Sequence, residues 1–229
     1  MAERSKATVL KTVARKRRGF ESLLLLPVQQ IDSARRRLER LLDQHGLLLL
    51  HDTMLPSATA CIAGAAIRGS WWGHPAGKLI FETLTRIEDS VAWAKLVLGK
   101  ETLVHRRLWP ALVAVAESGE DWQRRGLKAD AVALLRRVRT GSRVAIDRSD
   151  ARAATALERR LLAHATTEHT ASGRHARFLE TWAAWAKRAG VTRRDLPAAD
   201  AARQTLSAPV RAWIGEGDPS GMPPWAALA

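Results

Sequence analysis

Trp71, Trp72, Gly73 and His74 form the most pointed cluster of chemistry-bearing residues in the sequence. Two adjacent indoles offer stacking faces, and the imidazole beside them exchanges protons and hydrogen bonds near neutral pH. Such a set suits a pocket for an unpaired or flipped base. The same residues suit a structural part, with the tryptophans closing a core and Gly73-His74-Pro75 opening a helix. His169 and His175 are a second candidate pair, because a turn at Ala171-Ser172-Gly173 sets them opposite each other on neighbouring strands. Two imidazoles without a third ligand make a poor zinc site, so neither a metal nor any other cofactor is expected. The single cysteine, Cys61, lies in the small-residue run ATACIAGAA and reads as a buried filler. The sequence contains no phosphate-binding Gly loop with Lys, no Gly-x-Ser-x-Gly and no HExxH, so no motif assigns a catalytic residue.

Charge is the stronger signal. The 229 residues carry 37 Lys and Arg against 23 Asp and Glu, a formal net charge of +14. An excess of this size gains free energy by releasing the counterions of a polyanion, so double-stranded DNA is the expected partner. The bland alternative is a set of solvated helix faces in an Arg-rich chain. Residues 1–20 hold seven basic side chains against the single acid Glu3, and Arg17 and Arg18 close this arm. It suits a phosphate backbone or a minor groove. Lys95, Lys100 and Arg106 fall on a first predicted hairpin, Arg152 and Arg159 on a helix face, and Arg174 on a second hairpin. Together with Arg17 and Arg18 they are the expected nucleic-acid contacts.

The elements that must position these groups are legible as two similar series. The apolar period from Ile31 to His45 predicts a helix, with Asp32 or Ser33 placed to cap it and Gly46 to end it. Leu47 to Leu50 has strand length, and Pro56-Ser57 begins a small-residue helix through Ala63. A helix from about Ala76 to Glu88 should bury Ile80, Leu84 and Ile87 and show Glu82, Thr83, Thr85 and Arg86. Val91 to Leu98 and Glu101 to Arg106 then form a hairpin closed by Gly99-Lys100. An apolar helix, Leu108 to Ala116, ends this part. After the polar stretch ESGEDWQRRG the order begins again. Leu127 to Val138 reads as a helix stopped by Gly141, Val144 to Ile146 as a strand, and Ser149 or Asp150 as the cap of the next helix. That helix sets Arg152, Thr155 and Arg159 opposite Ala154, Leu157 and Leu161. A second hairpin lies in LLAHATTEHTASGRHARFLETW, followed by a helix from Phe178 to Ala189 that carries Trp182 and Trp185.

The expected fold is therefore mostly α with small β-hairpins (α+β), arranged as two tandem winged-helix domains. Residues 1–30 form a basic arm, 31–118 the first winged helix, 119–190 the second, and 191–229 a C-terminal helix with an irregular tail. The segments SWWGHPAGKLIF, KLVLGKETLVHRRLWPAL and EHTASGRHARFLETWAAWA resemble bacterial tandem winged-helix proteins grouped near the AlkZ/YcaQ DNA glycosylases. The resemblance covers most of residues 33–189 in outline. That family stacks winged helices around DNA and excises alkylated bases with a Gln-hydrophobic-Gln motif. The close glutamines here, Gln29 and Gln30, are adjacent and lie upstream, so the resemblance implies fold and DNA binding without that catalysis. A non-enzymatic DNA-binding protein is the first expectation. A base-processing enzyme with a pocket at Trp71, Trp72 and His74 is the alternative, and a protein-interaction scaffold the second alternative. With no apolar run of membrane-spanning length and no signal peptide, a cytoplasmic location is expected.

Overall fold

A computed structural model describes residues 27–169, 175–214 and 223–225. Arg17, Arg18 and Arg174 lie outside the described residues. The architecture is mixed α+β, with nine helices among the described residues and two three-stranded antiparallel sheets.

The first unit runs through α1 (Val28–His45), β1 (Leu47–Leu49), α2 (Ala58–Ala63), α3 (Gly77–Ile87), β2 (Val91–Val97) and β3 (Lys100–His105), and its three strands form the first sheet. Helix α1 begins earlier than its apolar period suggests, with Pro27 at the cap position. Asp32 and Ser33 consequently sit inside the helix, and Asp32 pairs with Arg86 of α3 at 2.7 Å. The helix ends at Gly46, whose φ of 77° falls in the left-handed region where a side chain is unfavourable. A Cβ there would also meet Leu108 Cδ1 at 2.8 Å. Thr83 departs from expectation: it is fully buried in α3 rather than exposed.

The strand order is β1-β3-β2, and the hairpin is closed by two residues, Leu98 and Gly99, with φ of 55° and 62°. Two left-handed residues in succession give the twist that a tight hairpin needs. The turn thus falls one residue before the expected Gly99-Lys100. Leu48 and Leu103 face the core built by α1, α2 and α3, whereas Leu47, Leu49 and Val104 face a second core. Burial on both faces explains why β1 reads as an unbroken apolar run instead of alternating.

The second sheet repeats this order. Helix α4 (Trp109–Ala116) and the short α5 (Asp121–Arg124) lead to α6 (Ala129–Thr140), β4 (Val144–Ile146), α7 (Ala151–Arg159), β5 (His164–His169) and β6 (His175–Glu180). The strand order is β4-β6-β5, matching the first sheet, with His169 paired to His175 at the hairpin end. One helix, α7, lies between β4 and β5, where the first series has two. Phe178 belongs to β6, so the helix expected from Phe178 starts at Trp182 as α8 (Trp182–Ala189), with the Thr181 hydroxyl accepting from the Ala184 amide.

The two sheets share a core. Leu47, Val104, most of α4, Leu161, Trp182, Trp185 and the buried side of α9 (Ala199–Ile214) form one apolar cluster, joined by Trp225. Trp109 and Trp185 meet edge to face at 5.2 Å, and the Trp109 indole donates to the Val104 carbonyl. The polar stretch between the units is stitched in as well. Gln123 is fully buried, and its amide donates to the carbonyls of Ala116 (3.0 Å) and Arg160 (3.3 Å). Arg160 returns the contact to the carbonyls of Trp122 and Arg125.

Candidate nucleic-acid interface and the cleft beside it

The cations singled out from the sequence separate into paired and unpaired sets. Lys95, on β2, has little exposure; it bonds Glu101 across the hairpin and lies 3.7 Å from Glu158 of α7. Lys100 donates to Asp52 at 2.6 Å. Burial alone pushes the Asp52 carboxyl up, yet Lys100 and the amides of Leu55 and Met54 outweigh it and hold it below the usual carboxylate range. The first hairpin is thus packed against the second unit with its two lysines neutralised, which differs from a wing that offers free cations. Arg106 lies beyond β3, in a short turn, with its guanidinium 5.9 Å from the Trp109 ring.

Helix α7 has the opposite character on its outer side. Ala153, Ala154 and Leu157 are buried, as is Leu161 just beyond the helix, while Arg152 and Arg159 are exposed. Among the described residues no carboxylate pairs with either arginine, nor with the exposed Arg148 in the turn before the helix. Neither proposed cap is made by its own side chain in the expected way. Asp147 accepts from the amides of Ser149 and Asp150, and Asp150 pairs with Arg137 at 3.0 Å. The tip of the first hairpin lies under the end of this helix. A Cβ added to Gly99 would stand 2.9 Å from Arg159 Nε, the mobile end of an exposed side chain, so it is the positive φ that favours glycine there.

Trp71, Trp72 and His74 stand before α3. Trp71 is buried and its ring stacks on that of Trp72 at 4.0 Å, and Trp72 as a residue is 55% exposed. His74 Nδ1 accepts from the Ala76 amide and so shapes the entry to α3. None of the three lines the large cleft, of about 1270 Å³, that opens between the two units. That cleft is walled by Trp93, Trp109 and Trp185, and six carboxylates line it against four Lys or Arg side chains. The cleft therefore carries an acidic excess within a strongly basic chain.

Two buried carboxylates, which the sequence reading did not single out, belong to this region. Glu180 bonds His164 Nδ1 at 3.1 Å and takes both arms of Arg188. Burial raises its carboxyl, but His164 and Arg188 prevail and bring it down to about 2. Glu158 is equally buried and bonds Arg177 through one oxygen, while its Oε2 accepts no hydrogen bond. Burial therefore wins and lifts its pKa, against Arg177 and Lys95. Helical spacing could have located Glu158 on the buried side of α7; nothing in the spacing marks its partners. Cys61 is half-buried against the first core, where burial raises its thiol pKa.

No family model matches this chain, and neither a curated protein nor a solved structure is detectably similar to it. Among the described residues no helix is long and apolar enough to cross a membrane.

Proposed function

We propose that the protein binds duplex DNA through two winged-helix units, with the outer side of α7 as the main contact. The reading rests on one observation above the rest: Arg152 and Arg159 stand exposed on one helix face without a carboxylate partner among the described residues, and the exposed Arg148 lies in the turn that leads into the helix. Exposed guanidinium groups at helical spacing match the repeat of phosphates and base edges along a groove. The identical strand order of the two sheets supports the winged-helix reading, since in each a short first strand pairs with the second strand of a hairpin. The second unit makes its contact with a single helix between β4 and β5, and the first unit braces it through the hairpin tip.

The test is the salt dependence of binding to a labelled duplex of arbitrary sequence. Affinity should fall steeply between about 50 and 200 mM salt, as expected when several counterions are released. Replacing Arg152 and Arg159 by Glu should flatten the logarithmic slope by about two, roughly one per lost phosphate contact. A salt response that is flat in the unaltered protein rejects the proposal.

A further inference from the structure

The cleft between the two units, about 1270 Å³, is wide enough for a small molecule, and its lining combines an aromatic wall with an excess of carboxylates. On one side Trp109 and Trp185 meet edge to face at 5.2 Å, and the His164 ring continues this wall 5.6 Å from Trp185. Trp93, half-buried, stands on β2 of the first unit, and Lys95 follows two residues on, on the same side of the strand. Indole faces carry negative potential, and one cation of the chain already answers to it: the Arg106 guanidinium lies 5.9 Å from the Trp109 ring.

The charges of the lining do not cancel. Six carboxylates meet four Lys or Arg side chains, and Arg188 among the four is held by Glu180, which is not part of the lining. The exposed Asp89 has no cationic partner among the described residues. Glu158 is the sharpest case. Its side chain is 6% exposed, one oxygen is bonded by Arg177, and the other, Oε2, accepts no hydrogen bond, with the Lys95 ammonium 3.7 Å away. Burying a carboxylate with one oxygen unmet costs free energy that the two cations only partly offset, in keeping with the raised pKa of Glu158. Lys95, drawn also to Glu101, supplies charge to Oε2 without the bond.

We propose that this cleft binds a small organic cation with a flat aromatic body, the ring lying against the tryptophans and the positive group turned to Glu158. The site does not depend on the duplex-binding reading. Aromatic faces beside carboxylates hold an organic cation well, because ring quadrupole and formal charge attract it together. An anion would meet the carboxylate excess unfavourably, and a neutral ring would leave that excess uncompensated. Lys95 opposes the ligand's charge, so its removal and the removal of Glu158 act in opposite directions.

Equilibrium dialysis of the full chain against three probes of similar shape and different charge provides the test: N-methylquinolinium, quinoline and naphthoate. At neutral pH the cation should bind about tenfold more tightly than quinoline, equivalent to roughly 1.4 kcal/mol, and naphthoate more weakly than either. Glu158→Gln should abolish most of the difference between cation and quinoline while quinoline binding stays within about twofold. Trp93→Leu should weaken the cation and narrow the same difference, since leucine keeps an apolar surface but has no ring. Lys95→Met should tighten the cation about threefold or more, a gain that a loosened fold does not produce. Equal affinity of the unaltered protein for cation and quinoline overturns the proposal, and tighter binding of naphthoate overturns it in favour of an anionic ligand. A cation preference that persists unchanged in Glu158→Gln and Trp93→Leu puts the binding outside the cleft and also overturns it, as does the absence of binding by all three probes. The salt dependence of duplex binding is untouched by any of these results, so the two proposals fail separately.

Discussion

Helix α7 and the first hairpin meet at Gly99, yet they treat charge in opposite ways. On the hairpin, Lys95 is held by Glu101 and Glu158, and Lys100 by Asp52. On the outside of α7, Arg152 and Arg159 have no carboxylate partner among the described residues. Formal charge is the same in both places, and the available field is not. Paired lysines contribute to holding the units together, whereas unpaired arginines project a potential into solvent.

The inner charges can be perturbed most strongly. Glu180, held at about 2 against an ordinary 4.5, contributes stability that is complete above about pH 4.5 and is lost as the pH falls towards 2. A shift of this size corresponds to ~3 kcal/mol, readable as a falling urea midpoint over that window, and Glu180→Gln should remove the dependence. Glu158 has the opposite sign, because its pKa is raised: its charged form is disfavoured by folding at neutral pH and is relieved by acid. Glu158→Ala leaves Arg177 and Lys95 without their shared partner. We expect a loss of about 2 kcal/mol, below the usual range for a broken buried pair because the Arg177 side chain is 31% exposed. Its duplex affinity should change less than about twofold, since the outer face of α7 is untouched.

The outer charges should respond in the reverse pattern. Arg152→Glu with Arg159→Glu is expected to weaken duplex binding about tenfold or more at moderate salt while leaving the melting temperature within a degree or two. Lys100→Ala should have the smallest effect. Its half-exposed pair with Asp52 is worth roughly 0.5 kcal/mol, and the salt slope of binding should stay unchanged because that charge is already compensated. A Lys100 variant that lowers the slope as much as an Arg152 variant would erase the contrast between the two regions.

Much of the fold was legible because it depends on period and punctuation. Gly46 ends α1, the run from Leu47 forms a buried strand, and the strands of both hairpins pair where the sequence places them, with the first turn shifted by one residue and the second outside the described residues. The misplacements have local causes. Phe178 reads as helical beside Trp182 and Trp185, but its pairing with Ala145 and Thr166 draws it into β6. Thr83 reads as polar and exposed, yet it lies on the inner stripe of α3 among Ile80, Leu84 and Ile87. The candidate site was legible only in part. Arg152 and Arg159 share a helix face by spacing alone, whereas Lys95, besides Glu101 across the hairpin, meets Glu158 from 63 residues away, and Lys100 meets Asp52 from 48 residues away. Long-range pairing leaves no periodic trace, so a count of cations overstates what the hairpin can offer.

The exchange between Gln123 and Arg160 bears on how the chain behaves when cut. A protease acting in the glycine-punctuated stretch after Ala116 would sever the backbone while the amide and guanidinium still clasp carbonyls on both sides. The two fragments should travel together through a sizing column and melt in one step. If α7 binds a duplex as proposed, a force exerted there would reach the first sheet without a joint to absorb it.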